Sequence, residues 1–339
     1  MNFNSLVNIF IFSYWSLLAF FSIRFYIKVS QKIFRFYIIF LFINLFSFWG
    51  YCYIYSLNLE IILLPILLFA PCFLVAKKLK QEIKKQQAEY LKISSENRSI
   101  QINLKLAKSI QESLFPKKEE FTGLKYDVFI QIQNHIGGDF FDFIKLREGN
   151  VGVFMTDVAG HGVSSAMVAA MIKVMVSTIP YHLKLDPAGL LTYLDMKMSH
   201  DYKSEHASAI YLYFDFPKRL VSFANAGHPY LIYQKKGQEF SELITTGSLL
   251  GYSIQTPIAK NQALNYSKGD RFFLYTDGLI EEFSSNGSFL GSEGLLKILN
   301  QLKDEPTESF KSKLLAEITF FYKKSLFTDD AMFLILEML

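Results

Sequence analysis

Apolar and polar residues alternate along this chain in three different ways. Up to Ala76 the apolar residues form long runs. Leu6–Ile23 and Phe36–Leu59 contain no charged residue, and each is long enough to cross a hydrocarbon core, which takes about 20 apolar residues. A third run, Ile61–Ala76, is shorter and holds Pro65 and Pro71. From Lys77 to Leu114 the chain is polar, charged and free of Gly and Pro, which predicts one long helix. Its apolar residues recur at alternating steps of four and three through Leu79, Ile83, Tyr90, Ile93, Ile100, Leu104, Ala107 and Leu114. This is a heptad pattern with polar Gln86, Asn97 and Gln111 in its core register, so it predicts a coiled coil. The other reading of the same stripe is a single amphipathic helix lying on the domain that follows. Pro116 ends the helix.

From Tyr126 the period changes to short β-type runs. Strands are predicted at Tyr126–Gln133, Phe140–Leu146, Val151–Asp157, Ala207–Asp215, Leu220–Asn225, Tyr230–Tyr233, Arg271–Thr276 and Ala331–Glu337. Helices are predicted near Val163–Ser177, Pro187–Tyr202, Glu293–Leu302 and Glu308–Lys324. Groups of strands with helices inserted between them indicate an α+β domain rather than a repeated βαβ unit. The organisation expected is a membrane region of about three helices (1–76), a connector helix (77–115) and a catalytic domain (116–339).

Composition sharpens this division. Hydrophobic residues make up 51% of the 339-residue chain and aromatics 16%, with 34 Phe, and the excess sits mainly before Ala76. The net charge of +4 gives no domain-wide basic surface, so nucleic acid is not an expected partner. The two cysteines, Cys52 and Cys72, lie in apolar stretches, which excludes a disulfide framework or a cysteine metal site. Arg24, Lys28, Lys32 and Arg35 separate the first two runs, and Lys77, Lys78 and Lys80 follow the third. With three spans, the positive-inside rule places both basic clusters in the cytoplasm. A multi-pass protein of the cytoplasmic membrane is expected, with the lipid bilayer as a partner and the catalytic domain inside.

Acidic residues at predicted strand ends carry the candidate chemistry. Asp139 and Asp142 lie in Gly137-Gly138-Asp139-Phe140-Phe141-Asp142. Asp157 ends an apolar strand and enters Asp157-Val158-Ala159-Gly160-His161-Gly162. Asp277 ends another, beside Gly278. Asp329 and Asp330 open the last. One Asp-Gly pair is usually an ordinary turn. Carboxylates at several strand ends form a cluster of oxygen donors, which suits a hard divalent cation, and such a cluster repels itself unless a cation neutralises it.

Six strings occur in order: LAKSIQESLFP, GGDFFD, DVAGHGVSSAMVAAM, FANAGHP, GDRFFLYTDGLIE and TDDAMFLIL. Together they resemble the SpoIIE/RsbU-type serine phosphatases, a bacterial branch of the type 2C metal-dependent protein phosphatases. The resemblance covers Leu106 to Leu339. It implies two antiparallel sheets flanked by helices, with the metals at one end. It implies two Mn²⁺ or Mg²⁺ ions, bridged by Asp157 and completed by the Val158 carbonyl, Asp139, Asp277 and Asp329, with Asp142 and Asp330 as further neighbours. Asp157 and Asp277 are the expected catalytic centre. His161 is a candidate general acid or a turn residue, and His228 a turn residue. Ser164 and Met332 stand where the family often has proline and threonine.

The implied activity is removal of phosphate from serine or threonine of a cytoplasmic regulator, an anti-sigma-factor antagonist, by an enzyme dimerised through its connector helix. Two alternatives are a silent partner-binding module of the same fold and a phosphatase of small esters. A kinase is excluded by the lack of a Gly-rich nucleotide loop followed by lysine.

Overall fold

A computed structural model describes Tyr14, Phe46 and residues 59–339, apart from 134–135, 202–204, 253–256, 285–286, 324–326 and 328. His135 therefore lies outside the described residues, as does almost all of Leu6–Ile23 and Phe36–Leu59. The chain divides into two compact units, Met1–Ile100 and Gln101–Leu339.

The first described helix, α1, runs without a break from Leu59 to Leu114. The third apolar run is its beginning, and after Ala76 the same helix becomes rich in Lys and Glu. Among the described residues no helix is long and apolar enough to cross a membrane. The expected multi-pass membrane placement is corrected accordingly. Within the first unit, the heptad positions Leu79, Ile83, Tyr90, Ile93 and Ile100 are exposed. Within the second, Leu104 and Ala107 are half-buried, Gln111 is buried and Leu114 packs on the domain core. There the helix follows the amphipathic reading, and its stripe faces its own domain.

The second unit is a sandwich of two five-stranded antiparallel sheets. One has the order β1 (Leu124–Gln131), β10 (Ala331–Met338), β9 (Arg271–Tyr275), β6 (Leu231–Gln234), β7 (Phe240–Leu243). The other has β2 (Phe140–Lys145), β3 (Val151–Val158), β4 (Ala207–Asp215), β5 (Leu220–Ala226), β8 (Gln262–Asn265). Helices α2 (Val163–Thr178) and α3 (Pro187–Asp201) cover the β2-containing sheet, and α4 (Gly291–Gln301) and α5 (Thr307–Tyr322) cover the other. The α+β expectation and all eight expected strands are present; β7 and β8 are additional.

The strands read as nearly continuous apolar runs because both faces are buried. In β10, Met332, Leu334 and Leu336 point between the sheets, while Ala331, Phe333 and Ile335 point to the helix layer. In β3, Val151, Val153 and Met155 take the inter-sheet side and Phe154 and Val158 the helix side. That alternation of period two fixes the register. β2 pairs with β3 through Phe140↔Thr156, and β10 pairs with β9 through Phe333↔Tyr275. As a result the start of β2, the end of β3, the end of β9 and the start of β10 gather at one end of the sandwich.

Candidate metal centre

Five aspartates sit at that end. Asp139 immediately precedes β2, Asp157 is the penultimate residue of β3, Asp277 opens a 3₁₀ turn after β9 (Asp277–Leu279), and Asp329 and Asp330 precede β10. Asp139 is buried, Asp157, Asp277 and Asp330 are half-buried, and Asp329 is exposed.

The glycines beside them allow backbones to approach closely. A Cβ on Gly137 would overlap the Asp330 carboxylate, and one on Gly278 would overlap the Asp330 carbonyl. A Cβ on Gly138 would stand 2.7 Å from the Val158 carbonyl oxygen, so this carbonyl lies on the loop that carries Asp139. The Asp330 carboxylate accepts the amides of Gln133 at 2.9 Å and Gly138 at 3.2 Å. These bonds tie the start of β10 to the loop before β2.

Electrostatics mark the cluster as uncompensated. Burial, and then the charge of Asp277, push the Asp157 carboxyl up to about 7. Burial first and Asp157 second raise Asp139 well above the carboxylate range. Burial followed by Glu281 and Asp329 raises Asp277, and burial raises Asp330. Among the described residues no three His, Cys, Asp or Glu side chains converge as ligands around one ion. The Asp157 carboxyl nonetheless hydrogen-bonds those of Asp139 and Asp277. The donor set itself fits a hard divalent cation: it is all oxygen and partly buried, and among the described residues no lysine or arginine pairs with it.

Asp142, three residues after Asp139, has a different partner. Lys173 on α2 donates to its Oδ2 at 2.6 Å, and the ion pair clamps α2 onto β2. Asp142, expected as a further neighbour of the metals, thus has a lysine partner in this structure. His161 is exposed on the loop after Asp157, where its charge favours ionised Asp330.

Three supporting residues were not expected at the site from the sequence. Thr276, fully buried, donates to Asp139 Oδ2 at 2.7 Å and accepts the Met332 amide at 3.0 Å. It joins the two sheets at the cluster. Gln111 at the end of α1 donates its amide to the Gly137 carbonyl at 2.5 Å and accepts the Gly137 N–H at 3.1 Å. Ser208, opposite Asp157 in the β3–β4 pair, meets His228 Nδ1 at 2.8 Å. Burial drives the His228 ring down to about 3, so it is neutral. The turn expected of His228 is closed by Asn225, which accepts the His228 amide at 2.7 Å and donates to its carbonyl at 2.8 Å. Thr276 was detectable only as the residue before Asp277, and Gln111 only as a polar break in an apolar stripe.

Residues 147–339 match the sequence model of the family described as Stage II sporulation protein E (SpoIIE). The chain belongs to the SpoIIE family. The matched SpoIIE segment contains Asp157, Asp277, Asp329 and Asp330, and begins after Asp139. The chain is similar to phosphoserine phosphatase RsbP of Bacillus subtilis (strain 168), at 24% identity over 239 residues, covering 69% of this chain and 57% of RsbP. It is 26% identical over 205 residues to phosphoserine phosphatase RsbU of the same organism, covering 60% of each. The match thus spans less than two thirds of the length of these curated relatives. Among solved structures, the SiaA-PP2C domain of Pseudomonas aeruginosa has a TM-score of 0.63 at 21% identity, covering 71% of this chain and 98% of that domain. That likeness establishes a shared fold.

Proposed function

We propose that this SpoIIE-family phosphatase domain hydrolyses phosphoserine or phosphothreonine on a regulatory protein, using bound divalent cations. The observation that carries the reading is the gathering of Asp139, Asp157, Asp277 and Asp330 at one end of the sandwich, each raised first by burial and then by neighbouring carboxylates, Asp329 and Glu281 among them. Such a cluster is costly to bury unless a cation binds it. Asp139, Asp157, Asp277, Asp329 and the Val158 carbonyl would hold two ions, Mn²⁺ or Mg²⁺. When bound, these ions would supply an activated water at neutral pH and offset charge on the phosphoryl oxygens.

The chain's own residues orient the site. Thr276 fixes one oxygen of Asp139, whose carboxyl also hydrogen-bonds Asp157. Asp330 is occupied by the Gln133 and Gly138 amides and braces the loop instead of donating freely. No side chain caps α2, whose N-cap is Gly162. Its first amides are therefore available to an anion beside the Asp157 loop. The names of the relatives, both phosphoserine phosphatases, support a phosphorylated protein as substrate. An anti-sigma-factor antagonist is the regulator we propose. The exposed heptad stripe Leu79–Ile100 supports pairing of α1 with that of a second copy.

The test uses the purified full-length chain and a phosphoserine substrate. Turnover is expected to vanish in EDTA and return with Mn²⁺ or Mg²⁺. Full turnover in excess EDTA, with no metal bound, would refute the reading.

A further inference from the structure

The chain leaving Asp277 inverts the usual pattern of burial. Ile280 is buried in the core beneath α4 and α5, and Glu282 and Ser284 are buried after it. Phe283 between them is 63% exposed. The return limb repeats this: Phe289 is 52% exposed, while Leu290 beside it is buried in the same core. The two phenylalanines face each other in an antiparallel bridge with ring centroids 5.8 Å apart. An extended segment that turns Glu282 and Ser284 inward must turn Phe283 outward. Folding alone favours the opposite arrangement, polar outside and apolar inside.

The hairpin is held firmly in this arrangement. The Asp277 carbonyl accepts the amides of Ile280 at 2.8 Å and Glu281 at 2.9 Å, and the Ile280 carbonyl accepts Gly291 at 3.2 Å. Between the limbs, the Ser284 amide donates to Ser288 at 2.8 Å, and the Ser284 hydroxyl accepts the Ser288 amide at 3.0 Å. Two phenyl rings are therefore displayed to solvent on an anchored loop. Aromatic side chains, phenylalanine among them, are enriched at the cores of protein contacts.

We propose that Phe283 and Phe289 form a docking contact for the apolar surface of a protein substrate next to its phosphorylated residue. The proposal rests on the phosphatase reading above. Phe283 follows Asp277 by six residues, so the rings lie within roughly 20 Å of it along the chain. A standard interface, about 800 Å² on each partner, spans that distance. The carboxylate cluster with its cations can recognise only the phosphate that every phosphate ester shares. The aromatic pair adds what a small ester lacks, an apolar surface beside the phosphate.

The test compares three substrates of the full-length protein in Mn²⁺: p-nitrophenyl phosphate and two phosphoserine dodecapeptides of equal charge. One peptide has leucines flanking the phosphoserine and the other has serines. The wild type should favour the leucine peptide in kcat/KM by about tenfold or more. Phe283→Ser with Phe289→Ser should abolish this preference and leave p-nitrophenyl phosphate turnover within about twofold, and Phe→Leu at both positions should restore part of it. The inference is overturned if the wild type shows no preference, if the double variant keeps it, or if all three substrates fall together, since the hairpin would then support the carboxylates. A wild type inactive on all three with Mn²⁺ would refute the phosphatase reading itself, and the docking contact with it.

Discussion

Asp139 and Asp142 stand three residues apart, one just before β2 and the other within it, and both are buried. Their surroundings differ completely. Asp142 has a lysine at 2.6 Å from the covering helix. Asp139 has a threonine hydroxyl and another carboxylate. The first is a finished structural ion pair. The second has no cation beside it among the described residues. A buried carboxylate with its own cation holds a fold together, whereas a group of them without one marks a place for a cation from outside.

Substitution should separate the two most sharply at Asp157. Asp157→Asn should lower turnover of p-nitrophenyl phosphate by roughly a thousandfold or more. The same change should raise the melting temperature of the metal-free protein, since it removes a repelling charge. A variant that loses activity and also stability would blur the distinction.

Lys173→Ala is the counterpart. It leaves Asp142 buried without its partner and should cost about 2 kcal/mol in denaturant unfolding, less than for a fully buried pair because Lys173 is partly exposed. Turnover of the folded variant should change little. A large loss of metal-dependent activity in the folded protein would return Asp142 to the site.

Thr276→Val removes the bond that orients Asp139. Loss of a group that positions a ligand typically costs 10–100-fold in metal affinity or activity. The Mn²⁺ activation curve should shift to higher concentration by about tenfold, and Thr276→Ser should restore it. Gln111→Ala should act in the same direction but by a few-fold only, since it loosens the Gly137 loop rather than a ligand.

The smallest effect is on pH dependence. Asp157 is raised from 3.8 to about 7 in the folded protein, so the native state binds its proton more tightly than the unfolded chain. Its contribution to metal-free stability is greatest below about pH 4 and is lost as pH rises to about 7. Thermal melts in EDTA should show this slope in the wild type, and Asp157→Asn should flatten it.

The difference between Asp139 and Asp142 was not legible in the sequence. Both sit in GGDFFD, and only the fold brings Lys173, on a helix that follows the next strand, onto one of them. The strand ends were legible because β3, β9 and β10 are apolar on both faces and stop abruptly at Asp157, Asp277 and Asp330. The strands β7 and β8 escaped notice because each is four residues long, and β8 is mostly exposed. Gln111 was placed in a coiled-coil core because its spacing is the same whichever surface covers it. The inverted hairpin at Phe283 leaves no signal in the sequence because its serines and glutamates outnumber its rings. Sequence composition does not reveal which of these residues point inward.

Calorimetric titration of Mn²⁺ into the full-length wild type, Asp157→Asn and Asp142→Asn tests the central claim most directly. Wild type and Asp142→Asn should bind Mn²⁺ alike, and Asp157→Asn should bind it weakly or not at all. Binding that survives in Asp157→Asn and disappears in Asp142→Asn would contradict the account.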